Sequence, residues 1–383
     1  MRIAYLFSSP DGDIALGPED LKRPFLIRPS DPHPFLTLGD YFEAIRTFLL
    51  RDNAKGLISV LNREGPEKDL GAKIREIRIR SEKHGVLYHV ASIEIMPAHG
   101  PVKLAVSTAI SEEARRCLAT EHDILKALHR SHGLPYLPRA YDRGEILCGN
   151  PSGECETLGV MMSEWFEGFH EWHLSMDGSS DCQRIAVWDL ARGHRYATEG
   201  EASEIFRQAA RILTLYYDPH SFKQIHPWRH AAGDFIVETG HDGIHVRLTT
   251  ARGYCSLMAF LSGGRVDPLI AMAYFFLNMT IWMRLDKIDG VGETAWAGDF
   301  SVQPAVDGFL DGLRTMAENG VLPVDQAQRL LSLLRTLNEA ELKRLFAPLL
   351  AFYGEESPAE ARIIDAHLTE HVTLLHRLLQ GPR

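Results

Sequence analysis

The chain has 383 residues, 45% of them apolar and 24% charged, which are ordinary proportions for a globular protein with room for more than one core. Its net charge of −10 argues against broad nucleic-acid or anionic-membrane binding. Five cysteines at irregular spacing, with no CxxC pair, argue against a disulfide framework or a structural zinc site and point to a reducing, cytoplasmic setting.

The first residues carry too short an apolar run for a signal peptide, and no stretch of membrane-span length lacks charge. Residues 1–36 are rich in proline and read as an extended arm with one short strand at its start. Tyr41, Phe42, Ile45, Phe48 and Leu49 fall at helical spacing and predict a helix over 38–62, with Thr37 or Asp40 as its cap. Polar, glycine-containing residues 63–72 read as a linker. Ile74–Arg80, Val86–Met96 and Val102–Ser107 follow as three short β-forming runs separated by turns at Ser81–Gly85 and Pro97–Pro101, which predicts an antiparallel meander. A helix opening at Ser111 carries Leu118, His122, Leu125 and Leu128 on one stripe. Pro135–Ile146 is expected to be extended and Leu158–Trp165 to be a strand. Residues 170–200 are mixed and polar and read as loop with short elements. From Glu201 the chain turns helical, with Ile205, Ala209, Ile212, Leu213 and Tyr216 on one face until Pro219. Phe235–Glu238 and Ile244–Thr249 form a hairpin across the turn Thr239–Gly243. Everything after Asp267 reads as helical. Pro268–Met283 is apolar all round, Val324–Leu337 and Ala359–Leu379 are amphipathic, and Arg284–Gly290 reads as a charged helix end with Gly290 as its C-cap.

This order of elements resembles the protein-kinase-like superfamily in its aminoglycoside/choline phosphotransferase branch, over roughly residues 74–300. The resemblance implies an α+β, two-lobed fold: an N-terminal extension over 1–72, a small antiparallel β-rich lobe over 73–168, and a large, mostly helical lobe over 169–383. It further implies ATP and Mg²⁺ as cofactors and a small molecule or nucleotide in an interlobe cleft. Residues 1–72 would cover the strand-rich lobe or mediate a homodimer.

Individual positions carry the resemblance. Lys103, within Val102–Val106, is similar to the lysine that meets the α/β-phosphates, with Ser107 as the alternative occupant of that place. Glu121 resembles the helix glutamate that pairs with that lysine. Val160-Met161-Met162-Ser163-Glu164-Trp165-Phe166-Glu167-Gly168 resembles the interlobe hinge, with Glu164, Trp165 and Phe166 as the residues that would meet adenine. In Ile225-His226-Pro227-Trp228-Arg229-His230-Ala231-Ala232-Gly233-Asp234-Phe235-Ile236-Val237, His226 and His230 fit the two histidines of the catalytic loop, and Asp234 stands where the metal-binding asparagine would be. The catalytic aspartate, however, is replaced by Trp228 or Arg229, neither of which accepts a hydroxyl proton as a carboxylate does. Thr249 or Thr250 stands where the second magnesium carboxylate belongs. The glycine-rich loop is reduced to Gly85.

Two functional readings follow. In one, the chain is a pseudoenzyme, a kinase-like binding or scaffolding module. In the other, it is an ATP-dependent small-molecule phosphotransferase with relocated groups: His226 or His230 as base, Asp234 as metal carboxylate, and Arg229, Arg247 and Arg252 neutralising phosphate.

Overall fold

The structure, a computed structural model, describes residues 1–9, 12–28, 30–64, 74–85, 87–96, 100–150, 152–189, 192–230, 233–240, 243–260 and 266–381. Most of the expected 63–72 linker, the centre of the Pro97–Pro101 turn, Ala231 and Ala232, and His241 and Asp242 of the hairpin turn lie outside the described residues. The chain is mixed α+β and divides into two units, Met1–Glu167 and Gly168–Arg383.

In the first unit the elements run β1 (Arg2–Phe7), β2 (Ile14–Ala15), α1 (Pro18–Leu21), β3 (Pro24–Arg28), β4 (Asp31–Thr37), α2 (Leu38–Glu64), β5 (Glu76–His84), β6 (His89–Met96), β7 (Val102–Ala109), α3 (Glu112–His132), β8 (Ala140–Gly149) and β9 (Cys155–Glu164). The expected meander forms as β5-β6-β7 within a seven-stranded sheet of order β2-β1-β5-β6-β7-β9-β8. Period-two alternation explains its burial: Ile77 and Ile79, Ile93 and Ile95, Leu104 and Val106, and Leu158 and Val160 share one core with Tyr41, Phe42, Ile45 and Phe48 of α2. Thr37 and Asp40 cap α2 reciprocally, the Thr37 N–H donating to Asp40 Oδ2 at 2.7 Å and the Asp40 N–H to Thr37 Oγ1 at 3.2 Å. Residues 51–54 leave helical geometry, so α2 is two helices joined at a break. The proline-rich segment differs from a plain arm. Its β1 pairs in parallel with β5, and β3 and β4 form a hairpin.

The second unit contains β10 (His170–Asp177), β11 (Cys182–Asp189), β12 (Gly193–Tyr196), α4 (Glu199–Leu215), β13 (Lys223–Ile225), β14 (Phe235–Gly240), β15 (Gly243–Leu248), β16 (Tyr254–Ser256), α5 (Pro268–Trp282), β17 (Leu285–Lys287), β18 (Thr294–Trp296), α6 (Val302–Glu318), α7 (Val324–Thr336), α8 (Glu339–Glu356) and α9 (Pro358–Gln380). Two expectations fail here. Residues 170–200 are not mainly loop: β10, β11 and β12 join the expected hairpin in a five-stranded sheet of order β12-β11-β10-β14-β15. In β10 the buried Trp172 and Leu174 alternate with Glu171, His173 and Ser175, so the average composition hides the strand, and β11 adds buried Ile185 and Val187. Nor is everything after Asp267 helical. α5 stops at Trp282, and the chain from Leu285 forms the short β17–β18 pair before α6, so Gly290 ends a single 3-10 turn over Ile288–Gly290 rather than the buried helix.

α5 is buried from Ala271 to Trp282, as its all-round apolarity predicts. No helix among the described residues is long and apolar enough to cross a membrane.

Candidate functional site

The loop 226–234 follows β13 and leads into β14. Asp234 is 1% exposed, and its carboxylate is fully engaged. The Arg252 guanidinium grips it with both arms, at 2.7 Å to Oδ1 and 2.9 Å to Oδ2, and the Arg229 N–H donates to Oδ2 at 2.8 Å. The Asp234 carbonyl accepts the Thr249 N–H at 2.7 Å. Thr249 Oγ1 lies 3.2 Å from that same carbonyl and 3.3 Å from that of Gly233, so this hydroxyl is turned toward the backbone. Thr250 is buried.

These residues do not fit the magnesium ion that the resemblance implies. Mg²⁺ takes free carboxylate oxygens, whereas here a fixed guanidinium already supplies the positive charge. No group of three or more His, Cys, Asp or Glu side chains able to hold a metal occurs among the described residues.

The two loop histidines occupy different surroundings. His230 is 2% exposed and ringed by Trp172 at 4.6 Å, Trp228 at 5.4 Å, Phe235 at 5.6 Å and Phe206 at 5.9 Å between centroids. This burial pushes its imidazole down to about 4, so it stays neutral at ordinary pH. His226 lies 6.2 Å from both the Trp282 and Tyr353 rings, and burial, followed by the Arg229 charge, pushes it down to about 4. At the two candidate base positions, Trp228 is 4% exposed, packed 5.5 Å from Phe235, and Arg229 is paired with Glu360 and stacked over Trp282 at 5.1 Å.

Arg247, on β15, lies over Phe169 at 5.4 Å and donates to its neighbour's carbonyl at Val246. In the first unit, the Lys103 ammonium pairs with Glu167 at 3.2 Å and sits 4.6 Å over the Trp165 ring. Glu167, within the segment expected to be the hinge, thus takes the place expected for Glu121, which is buried on α3. Glu164 accepts the Arg139 N–H at 3.1 Å. Phe166 is half-buried at the end of this unit.

The sequence reading missed a second constellation. His173 on β10 is 1% exposed and lies between two carboxylates, with Nε2 3.6 Å from Glu171 Oε2 and Nδ1 3.6 Å from Asp286 Oδ1. Both contacts are longer than a hydrogen bond and act through charge. Asp286, 4% exposed, also accepts the Leu174 N–H and the Lys287 N–H, each at 2.7 Å. β14 pairs with β10 only at His170 and Glu171, so the carboxylate satisfies a strand N–H beyond the reach of that ladder. Burial alone would lower the His173 pKa, but Asp286 and Glu171 outweigh it and hold it above the usual histidine range. Gly290 and Gly233 close over this array, both in the left-handed region with φ of +70° and +69°. A Cβ at Gly290 would stand 2.8 Å from His173 Nε2, and one at Gly233 would stand 2.7 Å from the Glu171 carboxyl. One signal was available in the sequence: a carboxylate just after a wholly apolar helix must be paired if it is buried.

A scan against protein-family models matches none, and a search of curated proteins finds no match.

Proposed function

We propose that the chain is a kinase-like protein that has given up phosphoryl transfer and serves as a binding or scaffolding module. One observation carries this reading: the bidentate Arg252–Asp234 pair, in which a side-chain cation stands where the fold's metal chemistry would need a free carboxylate. Three others point the same way. Trp228 is core, Arg229 is paired with Glu360, and Lys103 is paired with the exposed Glu167. Neither loop histidine replaces the base well: His230 is buried among aromatic rings, and half-buried His226 stands beside the Arg229 charge, so each imidazole is held down to about 4. A phosphotransferase with relocated groups would need Arg252 to leave Asp234, stranding a buried charge at a cost of about 3–5 kcal/mol.

Thermal denaturation with ATP and MgCl₂ tests the reading. The melting temperature of the wild-type chain is expected to stay unchanged when Mg²⁺ is added to ATP. A dose-dependent, Mg²⁺-dependent rise, together with transfer of labelled γ-phosphate to any acceptor or to water, would sink it. Arg252→Ala, which frees the carboxylate, is expected to lower the melting temperature without metal. Recovery of part of that loss with Mg²⁺ would show that the guanidinium substitutes for a metal ion.

A further inference from the structure

We propose that His173 is a proton-operated clamp: its imidazolium, wedged between Glu171 and Asp286 beneath the Gly290 turn, holds the 285–296 excursion against β10, and loss of the proton loosens it. This goes beyond the functional reading above and does not depend on it.

The geometry sets the charges. With the proton present, a buried cation separates two carboxylates, 3.6 Å from each. Without it, the two carboxylates face one buried site with nothing positive between them. β10 contributes Glu171, β17 contributes Asp286, and β11 contributes the uncharged Trp188 ring at 4.7 Å. His194 on β12 lies behind that ring, 5.2 Å from it. The 226–234 loop contributes His230, whose own burial keeps it neutral and which therefore cannot replace the cation. Gly290 has no side chain, and a Cβ there would stand 2.8 Å from Nε2, so its turn leaves no room beside the ring for one. The segment that would loosen is short. β17 and β18 pair over three residues each, and the turn between them is held by the Ile288 N–H to Glu293 and the Gly292 N–H to Ile288. The sign follows from the raised pKa of His173: its contribution is complete below the unfolded histidine value of 6.5 and is lost as pH rises through the folded value.

Three readouts on the full chain test the clamp. In NMR of histidine-labelled protein, the His173 ring, assigned by its loss in His173→Gln, is expected to titrate with a midpoint above 6.5. Trp188 emission, isolated as the difference from Trp188→Phe, is expected to rise over the same interval, because an imidazolium quenches a nearby indole and a neutral imidazole does not. Amide exchange at Leu174, Ile288 and Gly292, corrected for the intrinsic effect of pH, is expected to accelerate several-fold across that midpoint. Asp286→Asn is expected to lower the midpoint while keeping the side chain's shape, and it serves if His173→Gln fails to fold. A His173 midpoint at or below 6.5, or exchange at those amides that does not change across it, would overturn the proposal.

Discussion

At the scale of single residues, the chemistry of this chain depends on which charge neutralises which. Asp234 and Asp286 are both buried carboxylates, and each is resolved differently: the first by a fixed guanidinium, the second by backbone N–H groups and a histidine. The loop text supported expecting a carboxylate at Asp234, but nothing in it indicated that Arg252, on a later segment, would close that carboxylate. Lys103 is a parallel case, since its spacing to Glu121 suited the resemblance while the partner in the structure is Glu167. The Gly290 turn gives a sharp test at this scale. Gly290→Ala would add a Cβ against His173 at a backbone angle that L-residues avoid, and is expected to cost about 2–4 kcal/mol in urea unfolding. A change under about 0.5 kcal/mol would mean that the turn does leave room beside the ring.

At the scale of elements, period alone was informative where one face is plainly apolar and failed where it is not. The β5–β7 meander, the α2 stripe and the all-apolar α5 were readable because each repeats a single signal over several residues. β10 was not, since its buried Trp172 and Leu174 alternate with Glu171, His173 and Ser175 and its composition averages to polar. β17 and β18 are three residues each, too short to show any period. Close packing between helices also escaped the reading. α4 and α6 approach so closely at Gly308 that a Cβ there would run into the Arg207 carbonyl and the Ala210 side chain. Gly308→Ala removes a helix-weakening glycine, worth a gain of about 1 kcal/mol in an exposed helix. Here it is expected to destabilise instead, by about 1–3 kcal/mol, because the helices must part. An increase in melting temperature would contradict that packing.

At the scale of the whole molecule, the buried histidines set how stability responds to acid. Burial holds His89 of the first unit down to about 3, and in the second unit His226 and His230 to about 4 and His371 to about 3. Each folded value lies below the unfolded value of 6.5, so the unfolded chain binds more protons in between. These groups therefore stabilise fully above about 6.5 and lose that contribution as pH falls toward their folded values, the reverse of His173. Urea unfolding is expected to show stability falling steadily from pH 7 to pH 5. His230→Phe, which keeps a ring in the aromatic enclosure but cannot titrate, is expected to make that slope shallower. An unchanged slope would mean that His230 binds its proton equally in the folded and the unfolded chain.

Local signals in the sequence by themselves determined the α+β character, the first unit's meander and the apolar stripe of α2, the capped starts at Thr37 and Ser111, and the burial of α5, because side-chain period and capping act over one or two turns of chain. The tertiary structure alone decided what the charged residues do. Arg252 reaches Asp234, Glu167 reaches Lys103, and Asp286 reaches back across the chain to β10 and His173. A buried charge takes whichever partner the fold brings to it, and that choice is made by packing between segments, which local sequence pattern does not encode.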